Sequence, residues 1–160
     1  MSGPKDASAC GTRVEHQLAR AWIEWLGQHA GILEQLYTFD TPDLPADRYS
    51  AAGLEAAECA LHQRFPCVSD ALLHHEVLDR FARYLGEVFV QSLDGCWVND
   101  PFPGPSLRPA IRFPYNGIRL CVYEQVVLSL CFRTGRRWSA MHADLSQQCA
   151  MWWESGHDTL

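Results

Sequence analysis

The feature that most constrains the fold is a change of hydrophobic period at Asp94-Gly95. Before it, apolar residues recur at helical spacing. After it, residues 109–113 and 117–123 alternate between apolar and polar side chains, as strands do. Helices and a sheet must cover each other, because neither layer can bury its apolar side alone. The sequence therefore predicts an α+β fold, mostly helical, with a small antiparallel two- or three-stranded sheet packed against helices.

Three helices are predicted before this change. The first covers 12–36, with Thr12 as its cap, Glu15 in the capping-box position and a bend near Gly27 and Gly31. The second follows the cap Ser50 and stops at Pro66. The third runs from Ser69 or Asp70 to Ser92, and its inner face is predicted to hold Leu73, Val77, Leu78, Phe81, Leu85, Val88 and Phe89. Gly86 in this face would let another helix approach closely.

The second half of the chain begins with a short strand, predicted over 96–98. Asn116-Gly117 lies between two apolar runs, which is a strong signal for a tight hairpin. The segment 124–132 has the length of a helix and a Gly135 stop, which favour a helix, although its β-branched residues also permit a continued strand. A last helix is predicted over 139–153, and one side of it is predicted to hold Met141, Leu145, Gln148, Cys149 and Trp152.

The chain has 160 residues, which suits one domain, predicted over 12–156 with a disordered tail over 1–11 and a short tail over 157–160. Seven cysteines at irregular spacing, with no apolar leader before them, predict reduced thiols in a cytoplasmic protein. No apolar run approaches the roughly 20 residues that span a bilayer.

No motif for catalysis, metal binding or cofactor binding is present, so none of these is predicted. His75 and Asp79 share a helical face, but two ligands are too few for a tight metal site. Glu58 and His62 are four residues apart, whereas di-iron bundle motifs place Glu and His three apart. Arg83 and Glu87 are expected to form an ion pair within the third helix.

The formal net charge of −6 argues against nucleic acid as a partner, because an acidic chain repels phosphate. It favours a basic protein partner instead. The densest basic cluster, formed by Arg133, Arg136 and Arg137, is expected to mark the C-terminal end of a helix, where cations complement the helix dipole.

Residues 81–88 (FARYLGEV), followed by Asp94-Gly95-Cys96-Trp97, are similar to a recurring pattern in small bacterial proteins. In that pattern a helix with a YLGE-type sequence leads into a GGxW-like turn and strand, and Cys96 stands here where glycine is frequent. The resemblance covers residues 49–113, and some of these proteins resemble immunity proteins. It implies an α+β layout and carries over no catalytic residue.

The leading hypothesis is a non-catalytic protein-binding module, an immunity or accessory protein that neutralises or regulates a basic partner. Its predicted contact residues are in the acidic linker and the Pro-rich loop: Asp40, Asp43, Asp47, Trp97, Phe102 and Leu107.

The alternative hypothesis is a small-molecule-binding protein or minor enzyme. Its pocket would lie between the hairpin and the helices, with Arg112, Arg119, Tyr123 or His75 as polar groups. A third hypothesis is a subunit of a larger complex, because six tryptophans leave apolar surface for a partner to cover.

Overall fold

The computed structural model of the protein describes residues 7–100, 104 and 106–156, with side chains from Arg13 onwards. Within these ranges the chain forms a three-stranded antiparallel sheet, a π-helical turn over Leu36–Asp40 and seven α-helices. The helices are α1 (Ala7–Gly27), α2 (His29–Gln35), α3 (Ala51–Arg64), α4 (Val68–Ala71), α5 (His75–Ser92), α6 (Val122–Phe132) and α7 (Arg137–Glu154). The strands are β1 (Cys96–Asn99), β2 (Pro109–Arg112) and β3 (Arg119–Cys121). The predicted α+β class is confirmed.

Helix α5 is the centre of the molecule. Its buried face packs against α2, α3, α4, α6 and the first two strands, so one hydrophobic core serves all of these elements. Six of the seven residues predicted for this face are buried, as helical spacing requires. The exception is Leu73, which is 78% exposed because the chain leaves helical geometry after Ala71 and α5 begins only at His75.

The first helix differs from its prediction at the start and agrees at the bend. It begins at Ala7, so Thr12 lies inside it and is not its cap, and the predicted tail over 7–11 is helical. The predicted bend is present, because Gln28 separates α1 from α2. Ser50 caps α3 as expected, since its hydroxyl accepts the N–H of Gly53 at 3.2 Å. Residues 1–6 and 157–160 lie outside the described residues.

The hairpin is present, although its turn is not the predicted tight one. β2 and β3 pair with Ile111 opposite Leu120, and β1 adds a third strand on the other side of β2. The connection covers six residues, 113–118, and neither Asn116 nor Gly117 has a positive φ. The Asn116 side chain instead accepts the N–H of Ile118 at 3.0 Å, an Asx-type turn. α6 follows β3 directly, so the helical prediction for 124–132 is confirmed and Tyr123 belongs to the helix.

Gly86 of α5 is in contact with Trp97 of β1, not with another helix. A Cβ atom built on Gly86 would lie 2.1 Å from Cη2 of Trp97, so only glycine leaves room for the indole. The edge of that ring meets Trp25, with ring centroids 5.0 Å apart, and it also packs against His29. This contact joins α1, α5 and the sheet.

Candidate functional site

The acidic linker is only partly available to a partner. Asp40 is largely buried and is paired with Arg80, whose Nε donates to its carboxylate at 2.5 Å. Asp43 and Asp47 are exposed. The Asp47 backbone carbonyl accepts the Ser50 hydroxyl, which fixes the end of the linker before α3. Two of the three predicted acidic contacts are therefore open to solvent.

The predicted contacts of the Pro-rich loop do not join these acids. Trp97 is half-buried against Gly86 and Trp25, which makes it part of the packing between α1, α5 and β1. Leu107 lines a different recess, which is described below. Phe102 lies outside the described residues. The structure thus distributes the predicted contacts over separate regions.

An apolar groove, called here the α7 groove, runs between α7, the end of α6 and the β2–β3 hairpin. Its volume is about 670 Å³. Ile118 on the hairpin and Phe132 at the end of α6 remain 52% and 63% exposed. The lining residues are Phe113, Ile118, Leu120, Phe132, Thr134, Arg136, Arg137, Ala140, Met141, Asp144, Leu145 and Gln148. The α7 members recur at three- and four-residue steps, so they form one face of the helix over about three turns.

The two ends of the α7 groove differ in chemistry. At one end, the Asn116 amide donates to Gln148 at 3.0 Å and joins the hairpin to α7. At the other end, the turn between α6 and α7 brings Arg136 and Arg137 to the groove, and the guanidinium of Arg137 lies 5.3 Å from the Phe132 ring centroid. One end is therefore closed by a neutral contact, and the other carries cations.

The turn that places these arginines is held by Arg133. This residue adopts the left-handed conformation with φ of 50°, and Gly135 follows with φ of 69°. The Arg133 guanidinium donates to the carbonyls of His62 and Phe65, at the C-terminal end of α3. Arg133 therefore does lie at a helix C-terminus, as the sequence predicted for this basic cluster, and its guanidinium caps α3.

Sequence reasoning missed the α7 groove because its lining comes from three separate segments. Met141, Leu145 and Gln148 were predicted to share one side of the last helix, and they do. Only the structure shows that the hairpin stands away from this side and leaves it partly open. The Asn-Gly turn signal could not reveal this, since it says nothing about where a hairpin packs.

A second recess, called here the α5 cleft, lies where the hairpin base meets α1, α5 and α6. It has a volume of about 470 Å³. Trp25, Ala82, Cys121 and Val122 are its buried apolar members. The remaining lining residues are His75, Asp79, Leu107, Arg108, Pro109, Tyr123 and Glu124. Tyr123 and His75 were among the polar groups proposed for a pocket in this place, whereas Arg112 and Arg119 do not line it.

Asp79 is held in the α5 cleft by two donors. The indole Nε1 of Trp25 donates to one carboxylate oxygen at 3.0 Å, and Nε of Arg83 donates to the other at 2.7 Å. Arg83 is fully buried, donates to the backbone carbonyl of Trp25 and lies 3.8 Å from that residue's ring centroid. The predicted Arg83–Glu87 pair is therefore wrong. Arg83 uses the carboxylate one turn earlier, because that side faces Trp25.

Glu87 instead contacts His29, with Nε2 and Oε2 2.8 Å apart. This hydrogen bond lowers the pKa of Glu87 below its usual value of 4.5, although burial opposes the shift. A carboxyl group whose pKa is lower in the folded state stabilises the fold above its unfolded pKa. That contribution is lost as the pH falls below about 4.5.

We therefore expect Glu87→Gln to make the acid limb of the stability curve shallower. Urea unfolding at a series of pH values measures this slope for the wild type and the variant. Glu34→Gln is the control, because Glu34 has an exposed carboxyl group and lies on α2, the helix that carries His29. Equal slopes for the wild type and Glu87→Gln would contradict the expectation.

Glu58, His62 and Ser129 have the residue types of a hydrolase triad but not its arrangement. The Ser129 hydroxyl donates to Glu58 at 2.6 Å and lies 2.9 Å from Nε2 of His62. Glu58 also accepts the backbone N–H of Trp138, in the first turn of α7, at 3.1 Å. Both Glu58 and Ser129 are fully buried, so no substrate can reach the hydroxyl. The cluster is a structural link between α3, α6 and α7.

No group of three or more His, Cys, Asp or Glu residues suited to a metal ion occurs among the described residues. Nδ1 of His75 lies 2.9 Å from the Tyr123 hydroxyl, and Asp79 accepts from Trp25 and Arg83. None of the helices in the described ranges has the length and apolar character needed to cross a membrane.

No protein-family model, curated protein or solved structure matches the chain.

Proposed function

We propose that the protein is a non-catalytic protein-binding module that holds an apolar segment of its partner in the α7 groove. The observation that carries this proposal is the pair of large apolar side chains, Ile118 and Phe132, left exposed on either side of an apolar floor. Exposed apolar patches of this kind are typical of interaction sites. Leu120, Met141 and Leu145 supply the floor.

The dimensions of the groove favour a helical segment. The α7 face from Arg137 to Gln148 covers 12 residues, and the 11 steps between them, at 1.5 Å each, give a length of about 16 Å. A helix of about three turns has that length, and its apolar residues at i, i+3 or i+4 and i+7 would meet the floor. Arg136 and Arg137 favour an acidic residue at one end of this segment.

An immunity or accessory role with a basic partner belongs to the same proposal. The net charge of −6 attracts a positively charged protein over long distances and speeds its association. Asp43 and Asp47, exposed in the linker, would be a second and more peripheral contact. Short-range docking in the groove and long-range attraction by net charge act together.

The test begins with affinity purification of the tagged protein from its native cells, followed by mass spectrometry. We expect one partner to be recovered with the wild type and lost with Phe132→Asp. Loss of a central apolar contact costs about 2 kcal/mol or more, roughly a 30-fold decrease in affinity. A titration of the purified partner measures this decrease.

Ile23→Asp is the matched control, because Ile23 is 68% exposed and lies on α1, outside the groove. It should bind the partner as the wild type does. If Phe132→Asp also binds normally and only the double variant Asp43→Lys/Asp47→Lys fails, the interface is the acidic linker and the groove proposal is wrong.

A further inference from the structure

We propose that the α5 cleft is a binding site for a small amine with an apolar body, such as an arylalkylamine. This site is separate from the α7 groove, since no residue lines both recesses. The cleft volume of about 470 Å³ falls within the range of small-molecule sites. Among its buried apolar members, Ala82, Cys121 and Val122 would cover the body of the ligand.

Asp79 is the acceptor for the ammonium group. Each of its oxygens takes one donor, from Trp25 and from Arg83. A carboxylate has about four acceptor positions, so each oxygen can accept one more hydrogen bond. The Asp79 side chain is 33% exposed and lines the cleft, which directs the remaining acceptor positions to a bound molecule. Because its two donors fix its orientation, the carboxylate is preorganised for that contact.

The surrounding charges disfavour an anion. The guanidinium of Arg83 is buried and already bound by Asp79. Arg108, which lines the cleft, is paired with Glu124 and lies 3.7 Å from Asp100. An anionic ligand would have to displace one of these carboxylates, whereas an ammonium group adds a partner to Asp79 without breaking a pair.

His75 and Tyr123 form the side wall of the cleft. Their rings are stacked with centroids 6.5 Å apart, and Nδ1 of His75 is joined to the phenol oxygen. Burial raises the pKa of Tyr123, and the negative charge of Asp79 adds to this effect, so the phenol stays neutral. An aromatic wall with a neutral phenol, beside a carboxylate, suits a molecule with a ring and a cationic end.

Three ligands that differ mainly in the polar group test the proposal: 2-phenylethylamine, 2-phenylethanol and phenylacetate. Each is titrated into ¹⁵N-labelled protein while the indole N–H signal of Trp25 is followed, assigned from Trp25→Phe. The indole N–H donates its hydrogen bond to Asp79, so its signal reports directly on the site. We expect the amine to bind most tightly, the alcohol more weakly, and the acid at least about tenfold more weakly than the amine, as loss of a charge-assisted hydrogen bond implies.

Two variants locate the site. Asp79→Asn should weaken amine binding by about tenfold and change alcohol binding little. Leu107→Trp should fill the cleft and abolish binding of both, and it leaves the Asp79–Arg83 pair intact in case Asp79→Asn fails to fold. Ile118→Ala, in the α7 groove, should bind as the wild type does. The proposal is overturned if no ligand gives a saturable shift or if phenylacetate binds as tightly as the amine. It is also overturned if Leu107→Trp still binds the amine.

Discussion

Replacing Glu58 with alanine is expected to lower the free energy of unfolding by about 3 kcal/mol. The substitution removes the acceptor of the Ser129 hydroxyl and of the Trp138 backbone N–H, in a region without access to water. Ser129 can turn towards His62, which lies 2.9 Å away, but the Trp138 N–H is left without a partner. No side chain of the preceding turn caps α7, so this N–H depends on α3.

Thermal and urea unfolding measure the loss. For a domain of this size it corresponds to a decrease in Tm of about 9 °C. Glu55→Ala is the matched control, one turn earlier on α3. Its partner, the Ser139 hydroxyl, also lies 3.2 Å from the Arg136 carbonyl and keeps an acceptor, so the control should lose less than about 1 kcal/mol.

Glu58→Gln separates charge from shape. Its oxygen can keep the Trp138 N–H, and its NH₂ can donate to the Ser129 hydroxyl once that hydroxyl turns its own proton towards His62. The charge is lost while the hydrogen bonds are retained, so we expect a smaller loss than that of Glu58→Ala. If Glu58→Ala is no less stable than Glu55→Ala, the buried carboxylate is not the link between α3 and α7.

Gly86→Ala is expected to destabilise the protein by about 2 kcal/mol, although alanine favours helix formation by nearly 1 kcal/mol. The added Cβ would lie 2.1 to 2.9 Å from three atoms of the Trp97 ring. The ring cannot move away freely, because Trp25 and His29 pack against it. The helix or the first strand must therefore shift.

Gly31→Ala is the control, because a Cβ at Gly31 meets nothing within 4 Å. Gly31 lies within α2, so alanine there should stabilise the protein by about 0.5–1 kcal/mol. A double-mutant cycle with Trp97→Phe tests the cause. The smaller ring should relieve part of the overlap, and the two substitutions should then be coupled by at least about 1 kcal/mol. Additive effects would show that Gly86 matters for another reason.

Sequence reasoning predicted much of the fold, because hydrophobic period is a local property. The buried face of α5, the Ser50 cap, the hairpin and the helix over 124–132 all follow from residues close together in the chain. The errors fall where a local signal competes with tertiary structure. Leu73 matches the apolar period of α5, yet it lies before the start of that helix. Asn116-Gly117 lies in a six-residue connection and not in a two-residue turn.

The candidate sites were harder to predict, because they depend on pairings between distant residues. Asp40 has the sequence surroundings of an exposed acid in a linker, but Arg80, 40 residues later, donates a hydrogen bond to it. Glu58 and Arg83 are polar residues in the core whose partners no spacing rule indicates. The sequence predicted part of the α5 cleft, because Tyr123 and His75 are two of the polar groups expected in a pocket near the hairpin, and both line it. The α7 groove required the position of the hairpin relative to α7.

The link through Glu58 also bears on the order in which the chain is completed during synthesis. Its two donors lie 71 and 80 residues downstream, on α6 and at the start of α7. A nascent chain that ends at β3 contains α3 but neither donor, so burying the carboxylate would remove it from water without compensation. We therefore expect the N-terminal helices to close over Glu58 only after α6 and the first turn of α7 have left the ribosome. Until then we expect the apolar face of α3 to stay accessible to chaperones and to other unfinished chains.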